Sequence, residues 1–478
     1  MKRSTLLLLA ALLFIVHSCR KQDPATASEI LGKPDPTTLD QFIRAKLETE
    51  GQFLWAWASD EQVWTALSNG DFVLSVGYQP VGEKDVADRL HLLNIQAPAW
   101  QTARQSILDL ILTSERTTDP GLTEAKLLAF PENGVLPVFD VYIKNPSTIT
   151  ALRQSGLVRY AEPIGYEPFK VNQNADRSGS GCGNNVPQTG LVAGSDYTNI
   201  TPGCKQSWNH PFHKVTEAWN NSTGSGVTVA IIDTGCSDDQ ENLGDDFNQG
   251  WSSGRTIEKY VTLPQATNIW GQLIGSPETP NDLCGHGTSM QGACAAPRGT
   301  DGNSTGIAYN ANMVTIRAAA DVFLDESRET VGVSNAFIQA GNDGNVRIIS
   351  MSMGRLTSAS QISDAVKYAY NKGKLIFCAA GTSFWWSSWF VGVIFPASMA
   401  EAVAVTGVKD NLSSACADCH TGSKVDFVLV MEKNSNGHHA TTLADYGDDP
   451  GTVGGSSVAT SSTAGIAALV WSKYPSWT

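Results

Sequence analysis

Residues 226–235 read GVTVAIIDTG, an apolar run that ends in an aspartate, a threonine and a glycine. Valine and isoleucine favour strands, and a strand that is apolar along its whole length is typical of a sheet covered on both faces. The run therefore predicts a buried strand that ends at Asp233. Because a buried carboxylate is costly without a partner, we expect another polar group beside Asp233.

Similar apolar runs follow Asp233 along the chain, and helical patterns such as SQISDAVKYAYNKG (360–373) lie between them. Strands that alternate with helices form a parallel sheet with helices on both faces. We therefore predict an α/β domain over residues 210–478, with its chemistry at the strand ends. The further predicted strands are ANMVTIRAAA (311–320), NVRIISMSMG (345–354), GKLIFCAAG (373–381) and EAVAVTGVKD (401–410).

The composition describes a globular protein with a strong negative charge. Hydrophobic residues make up 41% of the 478 residues and charged residues 17%, which excludes a disordered chain. The formal net charge is −14, from 33 basic and 47 acidic residues. This balance disfavours nucleic acids and anionic membrane surfaces as partners.

The N-terminus predicts an export signal. A basic start, MKR, is followed by an apolar stretch (6–16) that is too short for a membrane span. Ser18 then precedes Cys19, which resembles a bacterial lipoprotein signal whose cysteine becomes lipidated. Ordinary secretion with a chance cysteine is the alternative. We expect a signal peptide over 1–18, a tether over 19–37, and a protein that is lipid-anchored in the cell envelope or secreted.

Residues 38–170 combine helical and strand patterns. Amphipathic helices are predicted by LDQFIRAKLETEG (39–51) and WQTARQSILDLILTSE (100–115). Farther on, a strand, a short helix and a second strand predict a compact β-α-β module. Residues 171–209 include a stretch rich in glycine, asparagine and serine, which predicts a linker. The three segments of the module are VLPVFDVYIK (135–144), STITALRQSG (147–156) and LVRYAEP (157–163).

Nine cysteines are present, and eight remain when Cys19 is set aside. An even number in an exported chain is compatible with disulfides, but it leaves their connectivity open. Proximity in sequence suggests two disulfide pairs, Cys182–Cys204 and Cys284–Cys294. The segment CADCH (416–420) also matches the attachment pattern of c-type haem. We expect a local disulfide or free cysteines there, because one match without a second axial ligand is weak support for haem.

Two further segments place polar side chains at predicted helix starts. In one of them, His286 lies between two glycines of CGHGTSMQGACAA (284–296). In the other, several serines precede the predicted apolar helix of GGSSVATSSTAGIAALVW (454–471). A serine hydroxyl is a poor nucleophile until a base takes its proton and a carboxylate orients that base. Asp233, His286 and one of these serines supply those three groups. Alone, each also fits a turn residue or a helix cap.

Together these segments resemble the subtilisin-like serine proteases, the subtilase family, from about residue 213 to the C-terminus. The family's motifs match AIIDTG at Asp233, His-Gly-Thr at 286–288, Gly-Ile-Ala at 306–308 and the stretch Gly-Ser-Ser-Val-Ala at 455–459. The chain order Asp, His, Ser is itself a recorded property of subtilisin. The resemblance implies Asp233, His286 and Ser457 as the catalytic residues, with Ser457 as the nucleophile.

The resemblance also implies how a substrate is held. Ser352, Met353 and Gly354 match the strand on which the family lays an extended polypeptide as an extra antiparallel strand. Ala380 and Gly381 match the other wall of the first specificity pocket. We therefore expect polypeptide substrates. No cofactor and no metal ligand is assigned, and structural calcium, common in the family, is an expectation without a ligand set.

The sequence departs from the family at the oxyanion hole. The family places an asparagine after Ala-Ala-Gly, and here Thr382 stands in that position. Loss of this donor costs about 10²–10³ in turnover in a subtilisin itself. A threonine hydroxyl is shorter than an amide, so we expect a weakened oxyanion hole and reduced but real activity. The chain stops at YPSWT (474–478), where the family continues into another helix, so a short catalytic domain is expected.

The segment VRYAEP (158–163) resembles the last strand of the family's propeptide. The resemblance implies that the module over 135–168 helps the parallel sheet to fold, and that the tail after Glu162 lies in the cleft as an inhibitor until it is cut. Residues 38–115 are left without a counterpart. The leading hypothesis is an exported serine endopeptidase made as an inactive precursor, and the alternative is a subtilase-fold binding module with little turnover.

Overall fold

The computed structural model describes residues 33–169, 182–183, 185–268, 271–383, 390 and 392–477. The chain divides into two units, residues 1–34 and residues 35–478, and every element reported below lies in the second unit. The predicted signal peptide, Cys19 and most of the predicted tether lie outside the described residues.

The helices and strands are numbered in chain order through the described residues. The helices are α1 (Thr37–Glu50), α2 (Asp60–Asn69), α3 (Pro98–Glu115), α4 (Glu124–Leu127), α5 (Ser147–Gln154), α6 (Val215–Ala218), α7 (His286–Ala295), α8 (Ser327–Asn342), α9 (Ser360–Asn371) and α10 (Gly455–Lys473). The strands are β1 (Val73–Tyr78), β2 (Val138–Tyr142), β3 (Val158–Pro163), β4 (Tyr197–Ile200), β5 (Cys204–Ser207), β6 (Thr228–Asp233), β7 (Ile257–Val261), β8 (Asn312–Arg317), β9 (Val346–Met351), β10 (Leu375–Ala379), β11 (Val403–Lys409), β12 (Phe427–Glu432), β13 (Ala440–Thr442) and β14 (Gly451–Val453). None of these helices combines the length and the apolarity needed to cross a membrane.

The larger sheet has seven strands in the order β12-β11-β10-β9-β6-β8-β7, and every neighbouring pair is parallel. β6 is an interior strand between β9 and β8, and all six of its residues are buried. Its last residue is Asp233. The predicted parallel sheet, and the predicted strand that ends at Asp233, are confirmed.

Helices cover both faces of this sheet. Ala230 and Ile232 of β6 belong to one core cluster, which includes buried residues of α8 and α9. Val229 and Ile231 belong to a second cluster, which includes buried residues of α7 and α10. Because successive residues of a strand point to opposite faces, the two clusters lie on opposite sides of the sheet.

A smaller sheet is formed by the N-terminal region in the order β2-β1-β3, with β1 antiparallel to both neighbours. The predicted strand, helix and strand are present as β2, α5 and β3. However, β1 comes from residues 38–115, which the resemblance left without a counterpart. The predicted module over 135–168 is therefore incomplete alone, because its two strands meet only through β1, which is buried along its whole length.

The predicted linker over 171–209 contains folded structure. β4 and β5 form an antiparallel hairpin within this range. The hairpin is held to the large domain because Cys204 is buried and the Trp208 indole N–H donates to the His439 carbonyl at 2.9 Å. The linker prediction is therefore wrong for this part of the range, and residues 170–181 lie outside the described residues.

The predicted cysteine pairs Cys182–Cys204 and Cys284–Cys294 are wrong. Cys182 is bonded to Cys284, whereas Cys204 and Cys294 are free and buried. Proximity in sequence failed because Cys294 lies inside α7 and faces the second core cluster, while Cys284 precedes that helix.

The cysteines of the haem-like segment are bonded to each other, Cys416 to Cys419. This local disulfide is one of the two arrangements expected for the segment. Because c-type haem attachment uses both thiols, the disulfide leaves neither of them available.

Candidate active site

His286 and Asp233 form a hydrogen-bonded pair at the edge of the parallel sheet. Asp233 is the last residue of β6, and His286 is the first residue of α7. Nδ1 of His286 lies 2.7 Å from Oδ1 of Asp233, and both side chains are buried. A carboxylate only accepts, so Nδ1 carries the hydrogen and Nε2 keeps a lone pair that can take up a proton.

The Asp233 carboxylate also changes the proton affinity of the imidazole. Burial by itself lowers the pKa of His286, but the charge and hydrogen bond of Asp233 raise it, and the net shift is upward from the ordinary value of 6.5. The pair therefore stabilises the protonated ring, which is the form that a general base passes through during a reaction.

Asp282 is a site residue that the sequence analysis missed. Its Oδ1 accepts from the Thr234 hydroxyl at 2.9 Å and from two backbone N–H groups ahead of α7. Its Oδ2 accepts from the N–H and the hydroxyl of Thr288. Asp282 thereby joins the turn after Asp233 to the first turn of α7. An aspartate shortly before a helix is a capping signal, and this signal was present in the sequence.

The close approach of these two elements depends on Gly287. A Cβ atom at this position would lie 2.3 Å from the carbonyl oxygen of Gly235, in the turn after β6. Such a contact is too short for any side chain, so glycine beside His286 is a packing requirement. It lets α7 begin directly against the end of β6.

Ser457 lies in the first turn of α10, which begins at Gly455. Its hydroxyl donates to the Ser352 carbonyl at 3.4 Å, and the Ser352 hydroxyl donates to the Ser457 carbonyl at 2.9 Å. α10 packs on the helix of His286, since the Ser461 hydroxyl donates to the carbonyl of Met290 in α7. Within the described residues, the hydroxyl of Ser457 is thus bonded to the predicted substrate wall rather than to His286.

The Thr382 hydroxyl is hydrogen-bonded to the first turn of α10. Oγ1 of Thr382 lies 3.0 Å from Oγ of Ser456, and the Ser456 N–H donates to Thr382 Oγ1 at 3.3 Å. Ser456 Oγ also accepts from the Gly381 N–H at 3.2 Å. When Ser456 donates to Thr382, the hydrogen of the Thr382 hydroxyl is left for another acceptor.

A pocket opens beside Ser457. The predicted substrate walls contribute residues 352–354 and Gly381 to its lining, and Thr382 lines it as well. Ser457 and the predicted specificity pocket are therefore adjacent in the structure.

Ala380 differs from the expectation that it contacts substrate. It is 0% exposed and belongs to the first core cluster. Its N–H donates to the Val405 carbonyl at 2.8 Å, and its own carbonyl accepts from the Ile394 N–H at 2.9 Å. Ala380 is a core residue because both its side chain and its backbone groups are already engaged within the protein.

The backbone of Gly354 also has partners. Its N–H donates to the Val322 carbonyl at 3.1 Å, and its carbonyl accepts from the Leu324 N–H at 3.0 Å. The edge that was expected to receive a substrate strand is thus paired, at this residue, with the segment 322–324. A peptide that bonds to Gly354 has to take the place of that segment.

The N-terminal region contacts the large domain through charged groups. The Glu162 carboxylate accepts from the N–H of Ser360 at 2.8 Å and from its hydroxyl at 2.7 Å, at the start of α9. A negative charge is favourable at a helix N-terminus. Arg159 donates two hydrogen bonds, of 2.7 and 2.9 Å, to Asp364 of the same helix. β3 is thereby docked on α9.

The described residues contain no group of three or more His, Cys, Asp or Glu side chains arranged to hold a metal ion. No calcium site is therefore assigned among them.

Residues 224–478, more than half of the chain, match the model of the subtilase family. The chain is 28% identical over 257 residues to thermitase from Thermoactinomyces vulgaris, which covers 54% of this chain and 79% of that protein. It is 28% identical over 277 residues to a subtilisin from Bacillus sp. (strain TA39), covering 54% and 61%. It is 30% identical over 257 residues to alkaline elastase YaB from Bacillus sp. (strain YaB), covering 53% and 57%. The chain spans less than two thirds of the length of these last two relatives. With the parallel sheet already described, the family match shows that the chain belongs to the subtilase family.

Proposed function

We propose that this chain is a serine endopeptidase that cleaves polypeptides through an acyl-enzyme intermediate. The observation that carries the proposal is the 2.7 Å hydrogen bond between His286 Nδ1 and Asp233 Oδ1. This bond selects the imidazole tautomer that a general base needs and stabilises the imidazolium that forms. The names thermitase, subtilisin and alkaline elastase, borne by relatives of the chain, are in keeping with this activity.

In the proposed reaction, the Ser457 hydroxyl turns from the Ser352 carbonyl and attacks the carbonyl carbon of the scissile bond. Nε2 of His286 takes the hydroxyl proton, and Asp233 stabilises the resulting charge. The imidazolium then gives the proton to the leaving amine as the C–N bond breaks, which leaves an ester on Ser457. Water attacks this ester with His286 again as the base; the ester C–O bond then breaks, the imidazolium returns the proton to the Ser457 oxygen, and the acid product leaves.

Two donors are proposed for the oxyanion that forms in each step. One is the backbone N–H of Ser457 at the start of α10, where the N–H groups have no partner within the helix. The other is the hydroxyl of Thr382. Because this hydroxyl is short and also bonded to Ser456, we expect it to stabilise the oxyanion less well than an amide. Turnover is therefore reduced but not abolished.

We also propose that residues 38–169 act as an inhibitor of the same molecule and as a template for its folding. In support, β3 docks on α9 through Glu162 and Arg159, and the segment after β3 reaches Arg355, the neighbour of Gly354. Other proposed partners are polypeptide substrates; the net charge of −14 disfavours nucleic acid. We further propose that the protein is exported and carries a lipid attached at Cys19.

A second candidate function is that of a binding module with little turnover. It is favoured by one observation, the pairing of Gly354 with Val322 and Leu324, which occupies backbone groups that a substrate would use. A chain that held this pairing firmly would keep the subtilase fold but admit few peptides.

A fluorophosphonate probe tests the proposal, because it reacts with a serine only when a base activates the hydroxyl. We expect the protein to be labelled once the proposed inhibitory region has been cut, and the label to be lost in Ser457→Ala. Ser472→Ala is the matched control, since it removes a hydroxyl at the far end of α10, where it donates to the Ser225 carbonyl, and leaves the proposed nucleophile and its surroundings in place. A protein that binds peptides but stays unlabelled would instead establish the binding module.

A further inference from the structure

His420 lies on the wall of the pocket beside Ser457, and the proposed reaction gives it no role. Its backbone is fixed on both sides, since its N–H donates to the Gly381 carbonyl at 2.9 Å and its carbonyl accepts from the Thr406 hydroxyl at 2.7 Å. The ring packs edge-on against Phe390, with 6.0 Å between the ring centres. Only 2% of the residue is exposed, so His420 is enclosed by its neighbours.

The hydrogen bonds of the ring decide which of its nitrogens carries the proton. Nδ1 of His420 lies 2.8 Å from the carbonyl oxygen of Gly392. A carbonyl only accepts, so Nδ1 is the donor and Nε2 is the nitrogen with a lone pair. Burial lowers the pKa of His420 to about 4, which keeps the ring neutral near pH 7. The ring therefore presents a hydrogen-bond acceptor at Nε2.

This acceptor is buried, and it has no partner among the residues that the structure describes. Buried polar atoms in proteins nearly always have a partner, and an exception calls for an explanation. Because Nε2 is itself covered by its neighbours, a bound molecule that brings a donor into the pocket supplies the missing hydrogen bond as the His420 ring or the wall beside it shifts.

The rest of the lining restricts what that molecule can be. Most of it is apolar, including Val322, Met353, Leu356 and Ile394. No acidic side chain is among the described residues that line the pocket, so a substrate ammonium or guanidinium group would lose its water without gaining a counter-charge. The lining fits an apolar stem that ends in an uncharged donor, such as a hydroxyl or an amide.

We propose that His420 is a specificity-determining residue, which selects substrates whose side chain before the scissile bond ends in an uncharged hydrogen-bond donor. This inference rests on the proposed peptidase function and adds a substrate class to it. Neutral Nε2 of His420 accepts one hydrogen bond from that side chain, while the apolar wall holds its stem. A matching side chain without the donor leaves the buried nitrogen unpaired and is bound less well.

Paired peptides test this selection directly. The pairs differ only at the residue before the scissile bond and have nearly equal shapes, namely tyrosine with phenylalanine, glutamine with methionine, and threonine with valine. Once the proposed inhibitory region has been cut, we expect kcat/KM to be about tenfold higher for the donor member of the pair whose side chains fit the pocket. In His420→Phe, the ratio within that pair falls to about one. His210→Phe is the matched control, because His210 is also a buried histidine with an unpartnered Nδ1 and packs against Trp219, away from this lining.

A second readout does not depend on the chemistry. Dissociation constants of the same peptides for Ser457→Ala should show the same preference, and His420→Phe in that background should abolish it. If the protein with His420 in place shows equal kcat/KM values within every peptide pair, the inference is overturned, and this result does not depend on whether the His420 variant folds. In that case, fluorophosphonate labelling of Ser457 would still support the peptidase proposal. Absence of both labelling and peptide binding overturns the proposed function, and the inference with it.

Discussion

Nε of Arg355 lies 2.9 Å from Oε1 of Glu167, and the two side chains are only 0% and 1% exposed. Arg355 follows Gly354 on the predicted substrate wall, whereas Glu167 belongs to the N-terminal region. The same guanidinium also donates to the carbonyls of Ile164 and Tyr166. The charge of a residue beside the pocket is thus neutralised by the N-terminal region, and the two parts of the unit are energetically linked.

Removing one partner of this buried pair is expected to be costly. Glu167→Ala leaves the Arg355 guanidinium buried without its counter-charge, and we expect the free energy of unfolding to fall by about 3–5 kcal/mol. Chemical denaturation monitored by tryptophan fluorescence measures the change. The control is the double variant Glu167→Leu with Arg355→Met, which removes both charges and should recover most of the stability. A single variant as stable as the parent protein would show that the pair is not buried as described.

Asp140 is expected to make stability depend on pH. Burial raises the pKa of this carboxyl to about 7; its Oδ2 accepts from the Gln361 amide at 3.2 Å, and its Oδ1 has no partner among the described residues. The folded protein therefore favours the protonated form, and the stability contributed by that form is lost as the pH rises from about 4 through 7.

The change Asp140→Asn removes this titration. We expect the variant and the parent to be similarly stable near pH 4, and the variant to be more stable by on the order of 2–4 kcal/mol at pH 8. Unfolding free energies across this pH range measure the gap. Asp109→Asn, which changes an exposed carboxylate of the same region, should alter neither value. A gap that narrows with rising pH would contradict the prediction.

The Asp233–His286 pair predicts the pH profile of the proposed peptidase. Burial lowers the pKa of His286, but the charge and hydrogen bond of Asp233, together with the charges of Asp282 and Asp321, raise it above 6.5, and a protonated ring cannot act as the base. We therefore expect kcat/KM to rise with pH through a value above 6.5. Asp233→Asn should move this limb to lower pH and reduce kcat by about 10⁴, since an amide favours the wrong tautomer. An unshifted limb would remove Asp233 from the mechanism.

Thr382 predicts how far the proposed oxyanion hole can be improved. Thr382→Asn places an amide where the family has one, so kcat should rise about tenfold or more with little change in KM, because the bond strengthens in the transition state. Thr382→Val keeps the shape without the hydroxyl and should lower kcat, while Thr382→Ser should stay near the parent. If the asparagine variant turned over no faster than the parent, position 382 would not be the oxyanion donor.

The parallel sheet could be predicted because its signal is local. β6 falls within the apolar run 226–235, and β9 falls within 345–354. Once these strands are placed, the end of β6 marks Asp233 as a site residue, and the motif around His286 supplies its partner. The hydrogen bond between them then confirms that these two distant residues meet.

Other features depend on contacts between distant segments, which local patterns do not encode. β1 joins β2 and β3 into one sheet, but nothing in its own sequence identifies those partners. The pairing of Gly354 with Val322 and Leu324 depends on how the loop that contains residues 322–324 packs against the sheet edge. Burial of Ala380 likewise follows from the packing of neighbouring strands, so a family motif alone misassigned it as a substrate contact.

The disulfide between Cys182 and Cys284 spans 102 positions in the sequence and ends two residues before His286. The covalent ring that it closes contains β6 and therefore Asp233. In a denatured, oxidised chain, the ring keeps the segments that carry the carboxylate and the imidazole closer together on average than they are in the reduced chain. In the chain-entropy description, a ring of this size disfavours the denatured ensemble by roughly 4–5 kcal/mol. Oxidation of this single pair of thiols thus shortens the conformational search by which the two halves of the site find each other.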